Sequence, residues 1–495
     1  MMATRGRKPG ALTKTRTVQN KYDAAGNGRR MRGWTPASSG PNKAVVGLQN
    51  IRNRSRDAGR NDWSGESAAQ KWTTTLIGVG IVPRFNRIKN VARKQAITDL
   101  FNEFVAESDA DGVLNFYGQE TLAVRSWFES GEVFARKRMR RPDSGLSVPM
   151  QVQLIEADFV PMLDADSWPG MLPGNRIRSG IELTVASRRV AYWVYKEHPG
   201  DGIMGNAIGA SLLVRIPAEE MVHVFMPTRP GQLRGVPAMA PVLAKLRSIN
   251  DFDDTVLERQ KLANLFVGFI TRTLGGSGDP DTDPLTNLPI QGSLSAPIAG
   301  MQPGILQELE NGEDVKWSNP PEPGTMYHEY MRTQNMTTAA AAGMPYELMS
   351  GDIRQVSDRT LRVMMNEFRR LAEQRQWQVV IPMFCQPVMK WFAESALLAG
   401  KIDVSEIADV RHAEFSPHGW AYIHPVQDVQ GKALEVLSGF RSRASVVGER
   451  GDDIEAVDNE RASDKAREEL LGLTPAGQPI APKVKPKKPA KPGAA

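Results

Sequence analysis

The stretch Asn319–Arg370 constrains this chain more than any other, because it sets a short polar loop between two helical segments. Nothing from Met326 to Ala342 breaks a helix, and the run Ala339–Ala342 favours one strongly. Gly343 and the Met344-Pro345 pair then stop it, since glycine suits a C-terminal cap and the residue before a proline resists the α region. A second helix is expected to restart at Ser357, an N-cap residue, with Asp358 complementing the exposed N–H groups of the first turn. The segment between them is SGDIRQV, Ser350–Val356.

A further long helix is expected over 237–263. Val242, Leu246, Ile249, Phe252 and Val256 recur at intervals of three and four and form one apolar stripe. Lys245, Arg247, Asn250, Asp254, Glu258 and Lys261 cover the rest. Such a helix is about 40 Å long at about 1.5 Å per residue. Its narrow stripe suits packing against one or two neighbouring helices, although a surface helix of a globular domain would carry the same pattern. Asn264–Thr325 then holds GGSGDPDTDP, several proline turns and the strand-like pieces Ile305–Leu309 and Val315–Trp317.

Upstream, Trp63–Leu76 and Val91–Val105 read as amphipathic helices, and Gln119–Phe134 as a third whose Leu122, Val124, Trp127 and Phe128 form a buried face. Val152–Pro161 and Gly180–His198 are rich in β-branched and aromatic residues, and the second breaks at Ala186–Arg189 as a hairpin would. Trp63–Met226 is therefore expected to be one α/β lobe. Downstream, Leu361, Met364, Met365, Phe368 and Leu371 give the 358–373 helix one packed side, and Pro382 and Pro387 predict a kink or break. Val426–Leu471 reads as helical and charged.

Charge is distributed unevenly. Residues 1–34 hold nine Lys or Arg against Asp23 alone, and residues 483–495 hold five Lys and no acid. The remaining 48 basic residues face 55 acidic ones, so the body is net acidic despite a chain total of +6. Both basic ends lack apolar periodicity and are expected to be disordered, either as solvating tails or as electrostatic contacts with DNA or an acidic partner. Proteins that grip DNA neutralise many phosphates, whereas an acidic body fits passage of DNA better than clamping it. The one cysteine, Cys385, excludes an intrachain disulfide and reads as a buried small hydrophobe. No apolar run approaches the ~18 residues of a membrane span, and Met1–Gly10 is basic with no apolar stretch behind it, so no membrane association is expected.

Catalytic constellations are wanting. Gly400-Lys401 is followed by Ile402 and Gly431-Lys432 by Ala433, each without the upstream glycine of a phosphate-binding loop. No nucleophile elbow appears. His412, His418 and His424 recur at intervals of six, on different faces of a helix, so no metal site is expected. The one enzyme-like pattern is Pro280-Asp281 followed by Asp314-Val315-Lys316, which imitates a nuclease in which carboxylates hold a magnesium ion and a lysine supports the attacking water.

The segment MPYELMSGD, Met344–Asp352, followed by a long helix resembles the lambda-type portal proteins of tailed bacteriophages. Three further blocks resemble the same family in the same order: Ser55–Trp63 with Thr75–Phe85, Arg229–Leu243 and Gly419–Val457. One departure is His424, where the family pattern has an acidic residue before Pro425. The resemblance implies an α+β, mostly helical portal fold in a ring of subunits, twelve in the family, with no enzymatic activity and no cofactor. It divides the chain into a basic arm (1–34), the first part of an α/β wing (35–236), a stem helix (237–263), a clip (264–325), a second stem helix (326–345), a pore loop (346–357), a long wing helix with return segment (358–424), a helical crown (425–474) and a Lys/Pro-rich tail (475–495).

The same resemblance implies DNA-facing residues Ser350, Gly351, Asp352, Ile353, Arg354, Gln355 and Val356, of which Asp352 and Arg354 are the foremost. Val242, Leu246, Ile249, Phe252 and Val256 become the stem packing, and Asp279, Asp281 and Asp283 candidate docking residues of the clip, unless they belong to a plain solvated loop. Implied partners are further copies of the chain, double-stranded DNA in the channel, the terminase large subunit, the major capsid or scaffold protein and head-tail connector proteins. The implied place is the capsid portal vertex of a virion assembled in the host bacterial cytoplasm. The competing readings are the nuclease above and a DNA-binding head-tail adaptor that works through its basic ends.

Overall fold

A computed structural model describes residues 39–43, 47–201, 208–263, 268–272, 313–317, 326–354, 356–420, 425–452 and 454–472. Helices α1 (Leu48–Asn61) and α2 (Trp63–Ile77) are separated by Asp62 alone, whose carboxylate caps α2 by accepting the Ser64 and Gly65 N–H groups at 2.8 and 3.2 Å. Strand β1 (Val82–Arg84) leads to α3 (Val91–Glu107) and α4 (Phe116–Ser130), capped at their starts by Asn90 and Asn115. The helix expected to reach Phe134 ends at Ser130 instead. Gly131, at φ +85°, takes the left-handed cap, and Phe134 becomes part of β2 (Glu132–Met139). Val124, Trp127 and Phe128 are buried as expected, but Leu122 faces solvent.

Two antiparallel sheets follow. Strands β3 (Met150–Ile155), β4 (Arg176–Arg178), β5 (Ile181–Leu183), β6 (Arg189–Tyr195), β7 (Leu213–Pro217) and β8 (Met221–Phe225) divide into a three-stranded sheet, β3-β2-β8, and a four-stranded meander, β4-β5-β6-β7. The expected break between β5 and β6 is a turn in which the Thr184 hydroxyl accepts the Arg188 N–H at 3.1 Å.

Helix α5 (Leu243–Ala263) starts later than expected, at Leu243 and not Pro237. Pro237 and Pro241 hold the chain in turns, and the Val242 N–H bonds the Met239 carbonyl at 3.0 Å before regular helix begins. Strands β9 (Gly268–Arg272) and β10 (Glu313–Trp317) pair antiparallel. They are the described parts of the expected clip, and Asp279, Asp281 and Asp283 lie outside the described residues. Next come α6 (Tyr327–Ala342), the short α7 (Tyr346–Ser350) and α8 (Asp358–Arg375).

The chain does not break at Pro382. A π-helical stretch, Gln376–Cys385, carries it from α8 into α9 (Gln386–Leu398), with Pro387 in the first turn of α9. The wider turn absorbs the N–H that Pro382 lacks. Helix α10 (Ile407–Arg411) and β11 (Glu414–Ser416) return the chain to β1, with which β11 pairs antiparallel. The C-terminal helices α11 (Pro425–Leu437), α12 (Arg443–Glu449) and α13 (Ile454–Leu471) bury no residue against this subunit.

The main core joins the helices to the three-stranded sheet. Phe101 and Phe104 each sit 5.2 Å from Phe392, and Phe116 stacks on Phe384 at 6.0 Å. Cys385 is buried, and its thiol donates to Glu120 Oε1 at 3.4 Å. Burial pushes the Glu120 carboxyl up to about 8 and the thiol upward as well, so both stay protonated at neutral pH.

A second buried centre ties the sheets to α1. The Glu132 carboxylate accepts from Arg52, from Arg234 Nε at 2.7 Å, from the Gly235 N–H at 2.8 Å and from His223 Nε2 at 2.9 Å. Burial alone would raise this carboxyl, but the Arg234 and Arg52 guanidiniums hold it well below the usual carboxylate range. Burial pushes His223 down to about 4, so the ring is neutral. Arg189 can only donate to His223 Nδ1, 3.2 Å away, which leaves the ring proton on Nε2, facing Glu132. Arg234 also donates to the carbonyls of Ala157, Val160 and Ser179, at 3.1, 3.0 and 2.8 Å.

Two glycines let this centre close. A Cβ on Gly235 would lie 2.0 Å from the Gly131 carbonyl oxygen, and one on Gly131 would lie 2.3 Å from the Val236 carbonyl carbon. Changing Arg234 to Met should therefore cost about 3 kcal/mol or more in urea unfolding, because Glu132 would keep its burial and lose a cation. A loss below about 1 kcal/mol would contradict this account.

Candidate functional site

The stem-like helices α5 and α6 meet through aromatic residues. Phe252 stacks against Tyr327 at 6.4 Å and meets Tyr330 edge-on at 5.2 Å, and the Tyr327 hydroxyl donates to Asp253. The apolar stripe of α5 divides along its length. Val242, Leu246 and Ile249 are buried, Val256 is half-buried, and Phe252 remains 41% exposed despite its aromatic contacts. The root of the helix thus packs in the core of its own subunit. Its outer half leaves apolar surface uncovered, including Leu257.

The far end of α6 is fixed to α2. The Trp72 indole N–H donates to the Ala342 carbonyl at 2.7 Å, and the Ser67 hydroxyl to the Met349 carbonyl at 2.6 Å. Each such bond contributes about 1 kcal/mol. Arg375 stacks over the Trp72 ring at 3.7 Å and closes the other side. Asn250 of α5 donates to Asp62 at 2.7 Å, so the carboxylate that caps α2 also holds the root of the long helix.

The expected loop 346–357 is only partly a loop. Pro345 starts a new helical turn, and Tyr346–Ser350 form α7, which ends at Gly351 in the left-handed region. Ser350 thus belongs to α7, and its hydroxyl donates back to the Tyr346 carbonyl at 2.8 Å and accepts the Asp352 N–H at 3.1 Å. Gln355 lies outside the described residues. Val356 is half-buried, and Ser357 caps α8 through the Thr360 N–H at 3.1 Å.

The exposed tip is made by Ile353, 70% exposed, and Arg354, whose side chain is 82% exposed. Asp352 shapes it. Its carboxylate accepts Arg354 Nε and Nη2 at 2.8 and 3.1 Å, accepts the Arg354 backbone N–H at 3.1 Å, and lies 3.7 Å from Arg332 Nε on α6. These Arg354 bonds hold the Asp352 carboxyl down to about 2. Arg332 also donates to the Arg354 carbonyl at 3.3 Å, and its guanidinium lies 5.9 Å from the centre of the Tyr346 ring.

Asp352 and Arg354, the two residues expected to face DNA, are thus paired with each other. Asp352 is turned toward Arg332, and Arg354 with Ile353 makes the projecting surface. Arg332, Ser67 and Trp72 escaped sequence reasoning, since no local pattern links α2 to a loop so distant along the chain or marks Arg332 of α6 as a partner of Asp352. In the nuclease-like pattern, Asp314 and Lys316 fall in β10, and Asp281 lies outside the described residues. Among the described residues, the group nearest to a metal set is Glu156, Asp158 and His198. Its carboxylates are already bonded to Arg52 and Arg56.

Residues 27–376 match the family model described as phage portal protein, lambda family, and the chain belongs to that family. It is 24% identical over 478 residues to a probable portal protein of Halomonas phage phiHAP-1, covering 92% of this chain and 88% of that one. It is 21% identical over 513 residues to the portal protein of Escherichia phage N15, covering 94% of each. A solved gene transfer agent particle neck matches at 16% identity and a TM-score of 0.45, covering 90% of this chain and 97% of that one. No helix among the described residues is long and apolar enough to cross a membrane.

Because Asp352 fixes the loop, Asp352→Asn should speed trypsin cleavage after Arg354 by about two- to fivefold. The carboxyl pKa is depressed on folding, so the clamp is complete above 3.8 and is lost as pH falls through about 2. An unchanged cleavage rate would show that the ion pair does not order the tip.

Proposed function

We propose that the chain assembles as a closed ring, twelve-fold as in the resemblance, and forms the DNA channel at one capsid vertex. The match to the portal family over residues 27–376 carries this reading. A ring requires a heterologous interface that closes on itself, and the outer half of α5, with Phe252 and Leu257 uncovered, offers apolar surface for a neighbouring subunit. In this reading α5 and α6 are the stem, the segment between them is the clip, and α11 to α13 are the crown.

The loop Gly351–Val356 is the channel constriction. The clamp of Asp352 by Arg354 and Arg332 partly neutralises the cations at its tip, so passing phosphates meet a guanidinium already paired. That arrangement suits sliding contact better than a grip. Packaging energy comes from a separate motor, the terminase large subunit, which docks on the clip before the head-tail connector proteins take its place. The capsid or scaffold protein meets the outer body, and the assembled subunit resides in the virion after assembly in the host cytoplasm.

Deletion of Ile353–Gln355 tests the loop. Rings should form normally in electron micrographs while DNA packaging or retention falls by about tenfold or more, the loss expected when one positioned contact of about 1.4 kcal/mol is removed. Normal filling of heads by this variant would rule the loop out as a working constriction.

A further inference from the structure

A groove of about 1480 Å³ runs between the four-stranded sheet and the helical body, walled by β6 and β7 on one side and by the π-helical stretch and α9 on the other. It is larger than the roughly 300–1,000 Å³ of small-molecule sites and suits an extended polymer. Its charge is opposite to that of the body around it. Arg84, Arg87 and Arg188 line it without a carboxylate partner among the described residues, and Arg84 Nη2 is buried with no acceptor. Four more cations line it, Arg189, Arg215, Lys390 and Arg411, of which Arg215 is paired with Glu182 and Lys390 and Arg411 with Glu394, so the unpaired charge lies with Arg84, Arg87 and Arg188. Only Glu219 and Glu414 oppose them in the lining, whereas residues 35–482 as a whole carry more acids than bases.

We propose that this groove is the docking site for an acidic, extended polypeptide segment of a partner protein. Three features select a peptide. Strand β7 is an edge of its sheet and lines the groove through Arg215 and Pro217, so the wall beside an extended segment is itself extended chain. The floor is apolar, formed by Ile381, Pro382 and Met383, and Trp377 at its side is 57% exposed, ready to cover a side chain. A DNA duplex carries its phosphates on a rigid convex surface and would reach only the rim. Three acids of the C-terminal helices are engaged elsewhere. Glu449 is bonded to Lys432 and Arg441, Glu455 to Lys94 and Asp458 to Arg443. The proposal goes beyond the channel reading and stands without it, because it rests on a groove within a single subunit.

The test uses the full chain and a short fluorescein-labelled peptide of alternating glutamate and valine, its glutamine counterpart and a fluorescein-labelled DNA duplex, followed by anisotropy. The glutamate peptide should bind, the glutamine peptide should not, and Trp377 fluorescence should change on binding. The double variant Arg87→Glu/Arg188→Glu should weaken glutamate-peptide binding by about tenfold or more, since each reversed exposed pair shifts affinity by up to about 1 kcal/mol. Arg87→Gln/Arg188→Gln should fall between, with an unchanged melting temperature in both. Equal affinity in the wild type and the charge-reversed variant would place the binding on the basic ends and overturn the proposal. A duplex weakened by the reversal as much as the peptide would overturn it in favour of a nucleic-acid groove.

Discussion

The buried Glu132 carboxylate is the contact on which the arrangement of the subunit depends. It sits at the start of β2 and draws together α1 through Arg52, β8 through His223 and the approach to the long helix through Arg234 and Gly235. Two guanidiniums, a neutral imidazole and a backbone N–H satisfy it, and Arg234 passes its remaining donors to three carbonyls. A buried charge is tolerable only when its partners are complete, and here they come from three separate parts of the chain, Arg52, His223 and Arg234-Gly235. The centre therefore sets the direction in which the chain leaves the sheets at Gly235.

From that point the geometry passes to the long helices α5 and α6 and to the loop. Val242, Leu246 and Ile249 seat the root of α5 in the core, and Asn250 bonds the Asp62 cap of α2. The same α2 holds the end of α6 and the end of α7 through Trp72 and Ser67. One helix thus supports both long helices and the base of the loop, and the loop needs only the local Asp352 clamp to keep its tip in shape. In the proposed ring the tip would stand on a base held by α2.

Much of this was legible in the sequence wherever a local rule decides it. The Gly343-Met344-Pro345 stop, the Ser357 cap and the β5–β6 turn follow from backbone preferences of one or two residues. Family membership was legible in four ordered blocks. What was hidden depends on contacts between distant segments. Arg234 reads as one more arginine in Arg229–Leu243 and is in fact fully buried on Glu132. Phe134 was assigned to a helix because the apolar spacing ran past Gly131, whose close approach to Val236 no local pattern reveals. Where a kink or break was expected, a π-helical stretch continues the chain, because tertiary burial of Val379, Val380, Ile381 and Phe384 outweighs the missing Pro382 donor. At the loop, sequence singled out Ser350–Val356 but gave no sign of the pairing of Asp352 with Arg354 and Arg332.

The measurement that bears most directly on the central claim is electron microscopy of the purified full-length chain, with its mass distribution determined in parallel. The account predicts closed rings of about a dozen subunits with an open central channel. A chain that stays monomeric across salt and protein concentration, even with candidate scaffold and capsid proteins added, would contradict it.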